Sequence, residues 1–271
     1  RTVSSTTATP LSVRGSGAMC CGWHTNGLMD PLGIFLQHPK EFVVGARHDL
    51  VTRPLLGWWT RKLAVQPVVR RAELLRGGCS EDEAMHLNGR SLLALANGIA
   101  HGFGCVLFPE GTSHSLSHMV RFKTGPARTV LAAAALAKAN DLPLPHLVPV
   151  GLHFRRRELF RTDQDIEFGE PSPLTDDMVP DDRVAAVKAG EWVEPPAEIV
   201  HRIRDELQAR LPPMTPEAAT WAEHRAVHLT AHAEARAEGR SLATWQEEVL
   251  AARAVRDAWP DRIASFPPEP I

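Results

Sequence analysis

The sequence contains no tyrosine, and none of its four cysteines forms a C-x-x-C pair. The absence of tyrosine excludes acid, base or nucleophile chemistry based on a phenol. The cysteine spacing indicates neither a zinc site nor a disulfide framework. We therefore expect reduced and mostly buried thiols, as is typical of a cytoplasmic protein. These cysteines are Cys20, Cys21, Cys79 and Cys105.

The chain also lacks a strong charge of either sign and any long apolar run. Its formal net charge is −2, whereas a protein that binds nucleic acid usually has a strong basic excess, so we expect no nucleic-acid partner. The longest apolar stretch, Val130–Ala137, is far shorter than the roughly 20 residues of a membrane-spanning helix. The first residues, RTVSSTTATPLSV, lack the apolar core of a signal peptide. Because the sequence does not begin with Met, the question of a membrane anchor before Arg1 is left open.

The hydrophobic pattern from Gly17 to about Pro171 alternates short β-like runs with helix-like segments, which predicts an α/β domain. The predicted strands are Ala18–Trp23, Phe42–Ala46, Ala64–Val69, Phe103–Phe108, His146–Phe154 and Asp165–Phe168. The predicted helices are Pro31–His38, Val51–Leu63, Glu81–Ala100 and Pro126–Asn140. Ser80 and Glu83 have the spacing of a capping box at the start of the third helix.

The composition changes after this domain. The segment 171–195, which contains PSPLTDD, is typical of a linker or a poorly ordered excursion. Segments 197–211, 216–238 and 242–258 are rich in Ala, Glu and Arg and predict helices, with Thr215-Pro216 as a helix start. We thus divide the chain into a domain over 1–175, a linker over 176–195 and a helical extension over 196–271.

A first polar cluster lies in Trp23-His24-Thr25-Asn26-Gly27-Leu28-Met29-Asp30-Pro31-Leu32. His24 and Asp30 are too far apart in sequence to meet on one helix face, but Asn26-Gly27 supplies a turn that can return Asp30 to His24. A carboxylate on one imidazole nitrogen leaves the other free to accept a proton. The cluster therefore indicates a base and its orienter, although Asp30 before Pro31 also fits an ordinary helix N-cap and His24 a core histidine.

A second cluster follows a buried-type strand, in Val106-Leu107-Phe108-Pro109-Glu110-Gly111-Thr112-Ser113-His114-Ser115. Ligands bind at such strand ends in open α/β sheets. Gly111 allows close backbone approach, and the hydroxyls of Thr112 and Ser113 can hold a phosphate or a substrate hydroxyl. A plain strand-to-loop turn is the alternative. The G-x-S-x-G of a serine hydrolase lacks its final glycine here, which leaves an esterase using Ser113 as a weaker hypothesis.

Several cations follow the predicted strands and could converge on a phosphate through charge-assisted hydrogen bonds. They are Arg47, Arg70, Arg71, Lys123 and Arg128. Individually, each is more often a solvated surface charge. The run Arg155–Arg157 predicts a solvated edge or a contact with acidic lipid or an acidic carrier.

Two further patterns have competing interpretations. His224, His228 and His232 share one helix face at four-residue spacing, but no H-E-x-x-H accompanies them, so we interpret them as a solvated face and predict no metal site. Pro54–Leu63, with Trp58 and Trp59 beside cations, fits both a membrane-interface helix and ordinary core packing.

Four segments taken together resemble the four ordered blocks of the glycerolipid acyltransferase superfamily, the glycerol-3-phosphate and 1-acylglycerol-3-phosphate O-acyltransferases. The segments are HTNGLMDPL, RHDLVTRPLLGWWTRKLAVQPVVR, LFPEGTSHS with RFKTGPAR, and LVPVGLHF. The resemblance covers about residues 15–171 and implies a mixed, mostly parallel β-sheet flanked by helices, with the helical extension following it.

The resemblance implies that His24 is the general base, that Asp30 orients it, and that the donor is the thioester of acyl-CoA or acyl carrier protein, with no bound cofactor. It also implies acyl transfer to a glycerol phosphate acceptor in phospholipid biosynthesis, by a cytoplasmic protein at the inner face of the cell membrane. The residues implied to hold the acceptor phosphate are Arg47, Arg70, Glu110, Gly111, Thr112, Ser113 and Lys123.

The chain departs from the family pattern at two positions. Trp23 stands where an Asn usually precedes the catalytic His, and Ser113 stands where the lysophosphatidate-specific branch commonly has Arg. The second departure favours glycerol-3-phosphate or dihydroxyacetone phosphate as acceptor, with 1-acylglycerol-3-phosphate as the alternative. The first leaves open a catalytically inactive lipid-binding module.

Overall fold

The computed structural model describes residues 3–7, 15–27, 29–47, 65–68, 71–159 and 161–259. Its strands are β1 (Val3–Thr7), β2 (Ala18–Gly22), β3 (Phe42–Arg47), β4 (Val65–Val68), β5 (Gly104–Leu107), β6 (His146–Phe154), β7 (Gln164–Phe168) and β8 (Ser172–Pro173). Its helices are α1 (Met29–Gln37), α2 (Arg71–Arg76), α3 (Glu81–Ala100), α4 (Gly125–Ala139), α5 (Asp181–Lys188), α6 (Ala197–Arg210), α7 (Trp221–Ala237) and α8 (Trp245–Asp257). The predicted helix Val51–Leu63 and the Trp58-Trp59 pair lie outside the described residues.

The strands form one sheet in the order β1-β7-β6-β2-β5-β3-β4, with β8 paired to β6. β7 and β8 run antiparallel to β6, and the other pairs are parallel. The predicted fold class, a mixed and mostly parallel sheet flanked by helices, is confirmed. Because the parallel strands share one direction, the loops after β2 and β5, which are neighbours in the sheet, emerge side by side at its carboxyl edge.

The central strand β2 is buried on both faces, and its side chains alternate between two clusters. Met19 and Cys21 pack in the cluster formed with α3 and α4, whereas Ala18 and Cys20 pack with Ile34 of α1 on the other face. Cys105 of β5 is also fully buried. Burial of the three thiols follows from this period-2 alternation in strands that are covered on both sides.

Side chains cap the starts of α3, α7 and α8. Ser80 accepts a hydrogen bond from the Glu83 amide at the start of α3, which is one half of the predicted capping box. The predicted start of α7 at Thr215-Pro216 is wrong, because the backbone turns to a positive φ of 38° at Glu217. The helix begins at Trp221 instead, where Thr220 accepts from the Glu223 amide.

The structure differs from the expected linker over 176–195. This segment contains a 3₁₀ turn and helix α5, and Val179 and Val187 are buried against the α4 side of the core. These few apolar residues attach the segment to the domain, but its mainly polar sequence does not indicate that it is structured. The extension then continues with α6, α7 and α8, close to the three predicted helices.

Candidate active site

The turn after β2 brings His24 and Asp30 together. His24 Nδ1 lies 3.0 Å from Asp30 Oδ2, and the Asp30 side chain is fully buried while that of His24 is 17% exposed. Gly27 takes a φ of +37° in this turn, a region that favours glycine. Asp30 lies in the first turn of α1, where the helix dipole stabilises a carboxylate.

Asp30 also fixes the backbone that carries His24. Its Oδ2 accepts hydrogen bonds from the amides of Thr25 and Asn26, each at 2.7 Å. An ionised carboxylate only accepts hydrogen bonds, so the hydrogen in the contact with His24 is on Nδ1 and the lone pair is on Nε2. The His24 ring stacks on Phe108 with centroids 4.0 Å apart, which further restricts its orientation.

Glu110 joins the turn after β2 to the loop after β5. The residue is 1% exposed; its Oε2 accepts from the His24 amide at 3.1 Å, and its Oε1 accepts from the Val120 amide at 2.9 Å. His114 Nε2 lies 2.6 Å from the same Oε1. With both oxygens occupied and the charge buried, Glu110 is placed to hold the loops together, which differs from the expected contact with an anionic phosphate.

The part of this loop that follows Glu110 is exposed to solvent at Thr112 and Ser113, and the Lys123 side chain lies against it at Gly111. Gly111 has a φ of +68°, and the Lys123 side chain lies so close that a methyl group at Gly111 would be 2.8 Å from Lys123 Cδ. Thr112 and Ser113 are exposed beside it. Within the described residues, the Ser113 side chain makes no hydrogen bond to a base, so the arrangement gives the esterase hypothesis no activated serine.

The other expected cations are not brought to this loop by any described contact. Arg128 Nη2 hydrogen-bonds Glu194 Oε2 at 2.6 Å, and its guanidinium lies over the Trp192 ring. Arg70 lies outside the described residues, as do the side chains of Arg47 and Arg71, whose backbones belong to β3 and α2. Of the expected cations, Lys123 is the one that the described structure places at the loop.

Two side chains that support this site were not predicted from the sequence. His114 orients Glu110, and its place four residues after Glu110 in the same block was an available signal. Trp221 of α7 packs on Trp23 at 6.0 Å between ring centroids, and its indole nitrogen donates to the Ser115 carbonyl at 2.7 Å. No local pattern could indicate a contact between residues so distant in sequence.

The expectation that His224 and His228 form a solvated face is wrong. They lie in a chain of rings from Trp221 to Trp245, with His228 stacked on Trp245 at 5.2 Å. Burial, with repulsion from neighbouring His and Arg side chains, lowers the pKa of His224 to about 3. Burial also lowers the pKa of His228 to about 4, despite the opposing charge of Glu248. In the part of the chain that the structure describes, no group of three or more His, Cys, Asp or Glu side chains is arranged for a metal ion.

Residues 4–152 match the sequence model of the family described as Acyltransferase, which is more than half of the chain. The chain therefore belongs to the Acyltransferase family, which confirms the resemblance drawn from its four blocks. The match includes the turn carrying His24 and Asp30 and the loop carrying Glu110.

Two curated relatives have matching segments. Over 100 residues the chain is 34% identical to glycerol-3-phosphate O-acyltransferase 2 of Saccharomyces cerevisiae, covering 36% of this chain and 13% of that protein. Over 148 residues it is 26% identical to the 1-acyl-sn-glycerol-3-phosphate acyltransferase of Streptococcus pneumoniae, covering 54% of this chain and 47% of that protein. The chain thus matches less than half of the length of either relative.

Among solved structures, the 1-acyl-sn-glycerophosphate acyltransferase of Thermotoga maritima aligns with a TM-score of 0.44 and 16% sequence identity. The alignment covers 77% of this chain and 73% of that one. None of the described helices combines the length and the apolar composition needed to cross a bilayer.

Proposed function

We propose that this chain is an O-acyltransferase that moves a fatty acyl group from an acyl thioester to a hydroxyl of a glycerol phosphate in phospholipid biosynthesis. The observation that carries the proposal is the contact between His24 Nδ1 and the buried Asp30 carboxylate, which leaves Nε2 as a base. Membership of the Acyltransferase family supports it. We further propose that the protein acts at a membrane surface, because the product carries a fatty acyl chain.

In the proposed reaction, His24 Nε2 removes the proton of the acceptor hydroxyl while the oxygen attacks the thioester carbonyl carbon. The tetrahedral intermediate collapses, the carbon–sulfur bond breaks, and the thiolate leaves with the electron pair and takes a proton from the imidazolium. The thiolate is a good leaving group, so the protein has to supply mainly base catalysis, about 10²–10⁴-fold, and alignment of the two substrates.

The acceptor phosphate is proposed to bind at the loop of Gly111, Thr112 and Ser113 beneath Lys123. The positive φ of Gly111 and its contact with the Lys123 side chain support a close approach of an anion there. Arg47 and Arg70 remain proposed ligands from the sequence. Glu110 is proposed to position this loop, since its buried oxygens already accept hydrogen bonds.

We propose glycerol-3-phosphate, or dihydroxyacetone phosphate, as the acceptor. Ser113 in place of the Arg common to lysophosphatidate-specific members supports this choice, as does the identity with a glycerol-3-phosphate O-acyltransferase. The second candidate is 1-acylglycerol-3-phosphate, which the relative from Streptococcus pneumoniae favours.

The test is transfer of a labelled acyl group from acyl-CoA to glycerol-3-phosphate, dihydroxyacetone phosphate, 1-acylglycerol-3-phosphate or water. We expect labelled lysophosphatidate, or its dihydroxyacetone phosphate counterpart, from the wild type. His24→Ala should lose turnover because no base remains, and Asp30→Asn should lower kcat by about 10²–10⁴-fold because the imidazole loses its orienting charge. His86→Ala, at an exposed position of α3, is the matched control.

Transfer that survives in His24→Ala would contradict the mechanism. Label found only as free fatty acid would indicate a hydrolase. No movement of label from acyl-CoA or from acyl carrier protein would leave the inactive lipid-binding module as the better account.

A further inference from the structure

A cavity of about 860 Å³ lies between the end of β6 and helices α7 and α8. It begins beside the site described above, because Trp23 and Thr25, the residues on either side of His24, line it. Most of its other lining residues come after residue 152, where the match to the family ends. The helical extension therefore builds a wall that the shared family segment does not contain.

The two lining residues that flank His24 have polar atoms without partners. Trp23 is 3% exposed, and both Trp23 Nε1 and Thr25 Oγ1 are buried with no hydrogen bond to any described residue. Such an orphaned group destabilises the protein, and most buried polar groups have a partner. Because the indole nitrogen only donates, the partner that it lacks is a hydrogen-bond acceptor, which a ligand in the adjoining cavity can bring.

The cavity combines aromatic walls with a cationic rim. Its tryptophans are Trp23, Trp221, Trp245 and Trp259. Its arginines are Arg155, Arg156, Arg157, Arg225, Arg253 and Arg256, against Glu158, Glu217 and Glu223. The lining therefore suits an extended ligand that has amide or aromatic groups to lie against the tryptophans and phosphates to contact the arginines.

Two of the rim arginines are especially suited to a ligand. Arg225 is exposed and makes no ion pair or hydrogen bond with any described residue. Arg156 is 63% exposed and pairs with Glu158, which is equally open to solvent. Exposed pairs of this kind are weak, so a phosphate could replace the carboxylate at low cost. Arg253, by contrast, is committed to Glu167.

We infer that this cavity binds the phosphopantetheine and nucleotide phosphates of the acyl donor, that is, the coenzyme A part of acyl-CoA. The inference rests on the proposed acyltransferase function. The pantetheine amide carbonyls supply acceptors for Trp23 Nε1 and Thr25 Oγ1, and the phosphates lie at Arg156 and Arg225. Donor and acceptor then approach His24 from different sides, because Gly111 and Lys123 do not line the cavity.

The test measures binding of coenzyme A by titration calorimetry and, separately, the KM values for acyl-CoA and for the acceptor. We expect Arg156→Gln combined with Arg225→Gln to weaken coenzyme A binding by about tenfold or more, since two charge-assisted contacts are lost. The KM for acyl-CoA should rise similarly while the KM for the acceptor stays within about twofold. Lys123→Ala should show the opposite split.

The matched control is Arg236→Gln. Arg236 is exposed on α7, about three turns beyond Arg225, and does not line the cavity. We expect it to leave both KM values and the coenzyme A affinity unchanged. Folding of all variants is checked by thermal unfolding.

Failure of this inference is distinguishable from failure of the proposed function. Acyl transfer that needs His24, together with coenzyme A binding that the arginine variants do not change, would overturn the cavity assignment alone. Coenzyme A binding that needs the arginines, without acyl transfer, would overturn the function alone. Phosphatidylglycerol vesicles are the second probe: loss of vesicle binding with unchanged coenzyme A affinity would assign the cavity to a lipid headgroup and overturn the inference.

Discussion

Glu110 shows how one buried carboxylate can organise a site without touching a substrate. It accepts from the His24 amide and from the Val120 amide, and it contacts His114. The loop that carries the proposed base and the loop that carries the proposed phosphate contacts therefore share one side chain. Any displacement of Glu110 moves both loops.

Glu110→Gln should lower both stability and turnover. The amide NH₂ replaces one accepting oxygen and faces a donor, which leaves buried groups unpaired at a cost of about 1–3 kcal/mol. We expect a fall of this size in the free energy of unfolding, measured with urea, and a reduced kcat. Glu198→Gln, at an exposed position of α6, is the control. Unchanged unfolding and kcat in Glu110→Gln would contradict the organising role.

For individual residues, the sequence predicted the contacts between side chains that lie close together along the chain. The turn dipeptide Asn26-Gly27 made the contact of His24 with Asp30 foreseeable. The role of Glu110 was not foreseeable, because its partners include a backbone amide 86 residues away. A motif identifies which residue is present, whereas burial and occupied lone pairs decide what the residue can contact.

Among the elements, α7 has the closest relation to the proposed site. Through Trp221 it contacts Trp23 and the Ser115 carbonyl, so it touches the segments before His24 and after Ser113. The guanidinium of Arg157 lies over the Trp221 ring at 4.8 Å. The backbone carbonyl of Arg157 accepts a hydrogen bond from the Asn26 side chain at 2.8 Å. This set of contacts makes Trp221 a positioning residue.

Trp221→Phe keeps a ring against Trp23 but loses the hydrogen bond to Ser115, whereas Trp221→Ala loses both. We expect kcat to fall modestly in the first and by about tenfold or more in the second, because small displacements of catalytic groups are costly. The KM for the acceptor should change little. Leu229→Ala on the same helix, where Leu229 is 71% exposed, is the control. Equal kcat values in all four proteins would contradict the positioning role.

The elements that the sequence predicted are those with a clear period. Strands β2 to β7 and helices α1, α3 and α4 have apolar runs or faces that identify them, whereas the short helix α2 was not predicted. Strand β1, with the sequence VSSTT, was missed because it has almost no apolar side chains and is defined by parallel pairing with β7. Helix α5 was missed because its polar sequence has few buried anchors.

For the whole molecule, the attachment of α7 and α8 to the sheet depends on charge states. His224 and His228 stay neutral in the folded protein because burial depresses their pKa values to about 3 and about 4. Glu167 of β7 pairs with Arg253 of α8. Burial alone would raise the pKa of Glu167, but hydrogen bonds and attraction from Arg253 and His153 lower it to about 2.

These pKa values predict loss of stability in acid. In each case the unfolded chain binds protons at a higher pH than the folded protein does, so stability falls as the pH decreases. The contribution of the histidines to stability is lost as the pH falls from about 6.5 to 4. The contribution of Glu167 is lost below about pH 4.5. At pH 5, each histidine should lower the free energy of unfolding by roughly 1–2 kcal/mol relative to pH 7.

The measurement is the free energy of urea unfolding against pH, followed by tryptophan fluorescence, since Trp221 and Trp245 lie beside the two histidines. His228→Gln should reduce the slope between pH 6.5 and 5, and His86→Gln on the exposed face of α3 should not. A slope that His228→Gln leaves unchanged would contradict the assignment.

Because Cys20, Cys21 and Cys105 are buried within the sheet, the reactivity of their thiols measures how often the sheet opens to solvent. Burial raises the pKa of the Cys105 thiol to about 12 and raises those of Cys20 and Cys21 as well, and the reactive species is the thiolate. Cys79, at the turn before α3, is only partly buried. A thiol-alkylating reagent should therefore modify one cysteine of the folded protein quickly and the other three only as fast as the sheet opens. At reagent concentrations where alkylation is faster than reclosing, mass spectrometry of the time course would then give the opening rate. Rapid modification at all four positions would show that the sheet is not closed over its thiols.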